Sequence, residues 1–337
     1  MKKISKIWLL LFTLVGILSL FAIQCKDDEE ELNPPGGLTT SAVTRITDET
    51  ASCGGIVTDE GNSAVTARGV CWGTAASPTI MSPKTSDGAD TGTFISSITG
   101  LTANTTYYVR AYATNSDGTS YGNEVTFDTP PTVTDIEGNV YHTVIIGDQV
   151  WMAENLKVTM YRNGNPIPNV IDNTEWASQT SGAYCQYGDG TYGMHYNGYA
   201  VLDSRGLAPQ GWHIASDAEW KTLEGTVDSQ FPVGNAEWDK FGWRGHDAGY
   251  NLKETGTNHW NAYAGATDKF GFTALPGGYR NWDSGLCTDQ RDMACFFTSS
   301  PEGVGTTWGR VWSIGSIQRI NGNNRGGGSV RCIKDKD

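Results

Sequence analysis

Positive charge is scarce in this sequence: 24 Lys and Arg stand against 37 Asp and Glu, a net charge of −13, and no basic patch forms. That argues against a nucleic-acid partner, because phosphate binding depends on clustered Lys and Arg that displace counterions. Metal-ligand spacings are also missing. The five His show no H-x-x-x-H pattern and the seven Cys no C-x-x-C pair, so the common zinc arrangements are not written locally. The glycine run Arg325-Gly326-Gly327-Gly328-Ser329 lacks the Lys-Ser or Lys-Thr of a phosphate loop. It leads into the alternating segment SVRCIK and reads as a tight turn. Few stretches carry helical periodicity, which points away from a helix-dominated fold.

What the sequence does have is glycine, tryptophan and room. Its 42 Gly and 12 Trp suit a turn-rich, β-dominated chain, and 337 residues suffice for two domains of ordinary size. The N-terminus carries Lys2, Lys3 and Lys6 ahead of an apolar run from Ile7 to Ile23, a secretory signal pattern that ends at Cys25. A lone Cys closing such a run resembles the lipobox of bacterial lipoproteins, although Ile23 and Gln24 stand where small residues are usual. The tract Lys26 to Glu31 resembles the surface-export signal of Bacteroidetes lipoproteins and also reads as a solvated tether. The expectation is a signal peptide over 1–24, lipidation of Cys25, an acidic disordered tether over 25–37, and an outer-membrane lipoprotein facing the cell exterior.

Residues 38–129 alternate short β-prone runs with turn signals, as a sandwich would. The segment LTANTTYYVRAYATNSDGTSYGNEVTFDT, residues 101 to 129, resembles the last third of a fibronectin type III module. Leu101, Thr105 and Tyr107 stand at its tyrosine corner, where the Tyr hydroxyl bonds back to the chain. Tyr107, Val109, Ala111 and Ala113 are expected to face the core, and Tyr108, Arg110, Tyr112 and Thr114 to face out. Asn115 to Gly118 form the hairpin turn. With no aromatic cluster or charge patch on it, the module reads as a spacer. Pro130 and Pro131, in TPPTVTD, are expected to stiffen a linker that separates two domains.

Beyond the linker lie ten of the twelve Trp. The ordered motifs GNVYHTVIIGDQVWMAENL, NGNPIPNV, GAYCQY, YGMHYNGYAV, GLAPQGWHIASDAEWKTL, NLKETGTNHWN, GFTALPGGYRN and SVRCIKD make residues 130–337 resemble the Fibrobacter succinogenes major paralogous domain. That resemblance implies an exported protein of unestablished activity. It also implies kinship to the C-type-lectin-like fold shared with formylglycine-generating enzymes. The expected fold is multidomain: an all-β fibronectin type III-like sandwich followed by an α+β C-type-lectin-like domain with a small twisted sheet, two helices and long loops.

Within GWHIASDAEW, residues 211 to 220, the grouping of His213, Ser216, Asp217 and Glu219 invites an active-site reading. Ser216-x-x-Glu219 is instead the pattern of a helix capping box, with Asp217 facing the positive end of the helix dipole. Trp220, Leu223 and Val227 follow at helical spacing as a buried stripe. His213 is expected in a strand ahead of the helix, packed beside Trp212.

Six Cys follow Cys25, and an even count in an exported chain favours disulfides. Cys53 with Cys71 and Cys287 with Cys295 are the near pairs, which leaves Cys185 for Cys332; sequence does not fix the connectivity. Cys287 and Cys295 also resemble the copper-binding cysteines of formylglycine-generating enzymes. Their spacing differs, so an enzyme using them is the secondary reading. Asn281-Trp282-Asp283 has a faint likeness, in altered order, to a calcium-binding C-type-lectin segment, but reads as a polar turn after a strand. No cofactor is expected. The leading reading is a non-catalytic lipoprotein that binds a glycan or surface protein through Trp282, Asp283, Tyr279, Arg280, Trp260, Asn258 and Asn261. Trp308 and Trp312 are expected in the core.

Overall fold

The computed structural model describes residues 31–261, 265–313 and 315–336. The signal peptide, Cys25 and residues 26–30 of the tether lie outside the described residues. Strand dominates throughout, with few helices.

Residues from Pro34 onward form one compact unit. Pro34 to Gly37, read from sequence as tether, join the first module: the Gly36 N–H donates to Asp59 O at 2.9 Å. In that module β1 (Thr39–Thr40), β2 (Thr50–Val57) and β4 (Gly92–Thr99) form one antiparallel sheet in the order β1-β2-β4. β3 (Ala67–Gly73), β5 (Thr106–Asn115), β6 (Gly118–Tyr121) and β7 (Val125–Asp128) form the second, with β5 paired to β3, β6 and β7. The facing sides share Val57, Val70, Trp72, Phe94, Ile98, Val109 and Phe127, the alternate inward residues of a sandwich. Tyr107, Val109, Ala111 and Ala113 are buried as their period-2 spacing predicts, and the Tyr107 hydroxyl accepts from the Thr102 N–H at 3.0 Å. Tyr112 departs from expectation. It points away from this core yet is buried, because the chain after β3 folds over it and its hydroxyl donates to Thr85 O at 2.6 Å.

The second module opens with the paired β8 (Val133–Thr134) and β9 (Val140–Tyr141). Three antiparallel sheets follow. One runs β10-β11-β22-β14, from β10 (Thr143–Ile146), β11 (Gln149–Met152), β14 (Trp212–Ile214) and β22 (Cys332–Lys334). A second runs β12-β13-β21-β16-β17, from β12 (Tyr184–Gln186), β13 (Met194–Asn197), β16 (Tyr279–Arg280), β17 (Cys287–Thr288) and β21 (Gly327–Gly328). The third runs β15-β20-β19-β18, from β15 (Gly242–Arg244), β18 (Ala294–Gly303), β19 (Thr306–Trp312) and β20 (Ile317–Asn323). Among the described residues, helices α1 (Asn173–Ala177), α2 (Gly198–Val201) and α4 (Ala248–Leu252) are single turns, and only α3 (Asp217–Val227) is longer. Trp151, Trp220, Phe272, Phe296 and Trp312 pack as one aromatic core with ring centroids 4.9 to 6.3 Å apart. Trp312 is thus core, as expected, whereas Trp308 is half-buried under the Arg319 guanidinium, 3.5 Å from its ring centroid.

The modules are not held apart. The Ile145 N–H donates to Ile46 O at 3.0 Å and Thr47 bridges to Val144, so the β1–β2 loop adds itself to the free edge of β10. Asp48 Oδ2 meets His142 Nδ1 at 2.8 Å, and the Arg45 guanidinium donates to Asp268 O at 2.9 Å. Pro130 is buried rather than part of an open linker. The physical reason is the unpaired backbone of β10, which the loop satisfies.

Candidate functional site

Ser216 caps α3 as its pattern predicts. Its Oγ accepts from the Glu219 N–H at 3.3 Å, and the Glu219 carboxylate accepts from the Ser216 N–H at 2.8 Å. Trp220, Leu223 and Val227 are buried beneath. His213 lies on β14, as expected, but half-exposed and braced rather than packed. Its ring meets Glu219 Oε1 at 2.8 Å and Asp335 Oδ1 at 2.6 Å. The Glu219 hydrogen bond pushes the His213 pKa up, more than burial lowers it. Asp217 does more than face a dipole. Arg319 binds it through two nitrogens at 2.9 and 2.7 Å, and Arg310 Nη1 sits 2.9 Å from it. Although burial opposes ionisation, these guanidiniums hold its pKa down to about 2. Deeper in, Glu224 is fully buried and joins Arg244 and Arg310. The stretch that looks most like an active site is an ion network fastening α3 to β15, β19 and β20.

The open concavity that the sequence pointed to lies between β16 and β20. Tyr279, Trp282, Phe297, Thr306, Asn321 and Asn323 line a groove of about 470 Å³. Trp282 stands on the β16–β17 loop with 43 % of its surface exposed. That loop is firmly set: Asn281 Oδ1 accepts from the Asp283 and Ser284 N–H groups at 2.8 and 3.0 Å. Gly285 takes φ +69°, and any Cβ there would fall 1.9 Å from Asn173 O. The Arg325 guanidinium lies 5.2 Å from the centre of the Trp282 ring. An aromatic face on a rigid loop beside amide and hydroxyl side chains suits a flat, hydroxyl-rich ligand.

Other residues expected at this site are elsewhere or otherwise engaged. Arg280 borders the groove but is 2 % exposed. Its guanidinium lies 4.3 Å from the Trp176 ring centre and donates to Val170 O, Ile171 O, Asp172 O and Gly285 O, so it is a fold element rather than a ligand contact. Trp260 is buried in the aromatic core and donates its Nε1–H to Ala274 O at 3.1 Å. Asn258 and Asn261 anchor Arg291, at 3.0 and 2.9 Å, away from the groove lining. Asp283 is exposed in the turn. Asn281, the first residue of the segment with a likeness to a calcium site, spends its side-chain oxygen on backbone N–H groups.

The expected disulfides are absent: all six described Cys are free thiols. Cys53 packs in the sandwich core, whereas Cys71 points out of it and donates to Pro78 O at 3.4 Å, so their sheets turn them apart. Burial pushes the Cys71 thiol up to about 11. Cys295 and Cys287 belong to strands of different sheets, and burial lifts Cys295 to about 12. Cys332 is locked in another core cluster, away from Cys185.

Instead the fold assembles a trio that sequence reading missed. Cys185 Sγ, Cys287 Sγ and a His195 ring nitrogen all lie within 4.8 Å of one another. Cys185 and His195 face each other across β12 and β13. Cys287 comes from β17, the opposite edge of the same five-stranded sheet. A flat sheet would hold these edges roughly 19 Å apart, so this sheet is rolled. Inside the roll, a Cβ on Gly327 would stand 2.7 Å from the Trp176 ring and 2.9 Å from Arg280 Cβ. The only local trace of the trio is the Cys-His pairing implied by a hairpin of GAYCQY on YGMHYNGYAV.

The model of the Fibrobacter succinogenes major domain family matches residues 144–334. No curated protein matches the sequence significantly. Among solved structures, the sensor domain of the anti-sigma factor RsgI4 of Pseudobacteroides cellulosolvens is 17 % identical, covering 28 % of this chain and 74 % of its own at a TM-score of 0.23. The third fibronectin III domain of human KIAA0343 protein is 15 % identical, covering 30 % of this chain and 86 % of its own at a TM-score of 0.20. A computationally redesigned β-sandwich protein is 26 % identical over 29 % of this chain and 95 % of its own, at a TM-score of 0.21. The sandwich assignment rests on the strand pairing itself.

Proposed function

This chain belongs to the Fibrobacter succinogenes major domain family, and we propose that it is a non-catalytic binding protein that takes a carbohydrate chain in the groove beside Trp282. One observation carries the reading: an indole 43 % exposed at the edge of an open groove of about 470 Å³, in a module where most Trp are buried. Sugar rings stack on such a face through their C–H groups, while Asn321, Asn323, Thr306 and Tyr279 supply hydrogen-bonding partners. The same reading makes the second module a C-type-lectin-like recognition domain. The chain is tethered through lipidated Cys25 to the outer face of an outer membrane, and the sandwich lifts the groove from that surface.

A glycan array probed with the full chain, followed by titration of the strongest hit, tests the proposal. Trp282→Ala should weaken binding about tenfold or more, the scale of a lost stacking anchor, with the melting temperature unchanged. Silence across the array, or equal binding by Trp282→Ala, refutes it. Capture of a defined outer-membrane protein in place of a glycan would replace the ligand class.

A further inference from the structure

We propose that Cys185, His195 and Cys287 form a binding site for one thiophilic d¹⁰ metal ion, Zn²⁺ or Cu⁺, that fastens the two edges of the rolled sheet. Three donors of the right softness converge: two thiol sulfurs and an imidazole nitrogen, mutually within 4.8 Å. Tetrahedral zinc with bonds of about 2.3 Å to sulfur needs its sulfurs about 3.8 Å apart, so modest side-chain rotation closes the set. Thiolate with imidazole selects zinc or monovalent copper over magnesium or calcium.

Independent features point the same way. His195 is 1 % exposed, and its Nδ1 is buried with no hydrogen-bond partner. A buried polar atom left unpaired is costly, and coordination through Nδ1 would relieve that cost. Binding the ion displaces the thiol protons to solvent, and neither sulfur changes oxidation state. Cys287, only half-buried, marks the side from which an ion enters. Zinc would complete its shell with water, whereas Cu⁺ is satisfied by the three donors.

The positions explain what the ion would do. β12 and β17 are the edges of the sheet, and the described residues show no backbone ladder joining them. Sulfur ligands from both edges therefore close the roll with a coordinate link where the backbone ladder does not, beside a side-chain hydrogen bond from Gln290 Nε2 to Tyr187 O at 3.3 Å. The β17 end of that link follows directly from the loop that presents Trp282.

The test is titration of the reduced, metal-stripped full chain with Co²⁺. The expected result is one equivalent bound per chain with thiolate-to-cobalt charge-transfer absorption, then displacement by Zn²⁺. Competition against a Cu⁺ chelator tells whether copper binds more tightly than zinc. Cys185→Ser and Cys287→Ser should each abolish the absorption. His195→Gln should weaken binding by more than the about tenfold that loss of an outer-shell partner costs. Cys295→Ser and Cys53→Ser should leave it unchanged. If a ligand variant fails to fold, X-ray absorption of the zinc-loaded parent chain decides, by reading two sulfurs and at least one nitrogen around the metal. Absence of charge-transfer absorption in the reduced parent chain would overturn the proposal. So would a Cys185–Cys287 disulfide in the protein as isolated from its cell envelope, since the two sulfurs cannot hold both a bond and an ion.

Discussion

Replacing Glu224 with Gln removes one negative charge from a site where Glu224, Arg244 and Arg310 side chains have no exposure at all. Around it the buried network holds Asp217 and Glu224 against Arg244, Arg310 and Arg319, a formal excess of one positive charge. The substitution doubles that excess. It strikes hardest at Arg244, whose Nε and Nη1 already lack hydrogen-bond partners and whose pKa burial already depresses. Breaking one partner out of a buried ion pair costs about 3 to 5 kcal/mol, a large share of a typical stability of about 5 to 15 kcal/mol. For a unit of this size, the melting temperature should fall by about 6 to 20 °C. Glu224→Ala, which also removes the acceptor oxygens, belongs at the upper end and Glu224→Gln at the lower. Calorimetric unfolding at neutral pH of the parent and both variants measures the effect. Melting temperatures within about 2 °C of the parent for both variants would refute the claim that this network is an obligate charge cluster.

Other substitutions test separate parts of the structure. Ser216→Ala should cost about 1 to 2 kcal/mol in denaturant unfolding through loss of the cap, with groove binding intact. Gly327→Ala must push aside the Trp176 ring or the Arg280 stem, and should cost about 1 to 3 kcal/mol by the same assay. The His213 pKa is raised from its ordinary 6.5, so its contribution is fully present below pH 6.5 and is lost as pH rises through the raised value. Melting curves of parent and His213→Gln should therefore converge on the alkaline side; a gap that widens there would contradict the sign. At the junction, the hydrogen bond to Asp48 raises His142 in the same sense. Backbone amide exchange at Ile145 should accordingly quicken as pH climbs past that pKa, beyond the intrinsic rise in exchange rate, and His142→Gln should remove this extra step.

Much of the fold was legible because it is encoded by near neighbours. Period-2 alternation placed Tyr107 to Ala113, the tyrosine corner fixed Tyr107, and Ser216-x-x-Glu219 gave the start of α3. Trp282 was legible too, because a polar loop between short strands is a place where an aromatic residue stays exposed. Arg280 was misread because its chemistry suits a ligand site equally well, and only the carbonyls of residues 170 to 172 reveal its task. The cysteine scheme failed for a related reason. Cys287 and Cys295 are close along the chain, yet strands in different sheets part them, while a rolled sheet joins Cys287 to a residue about a hundred positions away. Local spacing carries no information about such curvature. The docked junction was equally hidden, since nothing in the sequence of the β1–β2 loop says whose edge it completes.

The position of β22 sets an order of events during biogenesis. This three-residue strand lies between β11 and β14, pairing Trp151 with Ile333 on one side and Ile214 with Cys332 on the other. Arg331, just before it, is fully buried and reaches Met152 O, Asn155 Oδ1, Phe272 O and Thr273 O. β10, β11 and β14 are synthesised long before the strand that joins them. Until residue 334 has been added, they stand as two separated halves with open edges, the state most prone to mispairing. The sandwich, whose seven strands are complete by residue 128, can fold first and cover one of those edges through the β1–β2 loop. In that sense it is also a resident chaperone for the module that follows it.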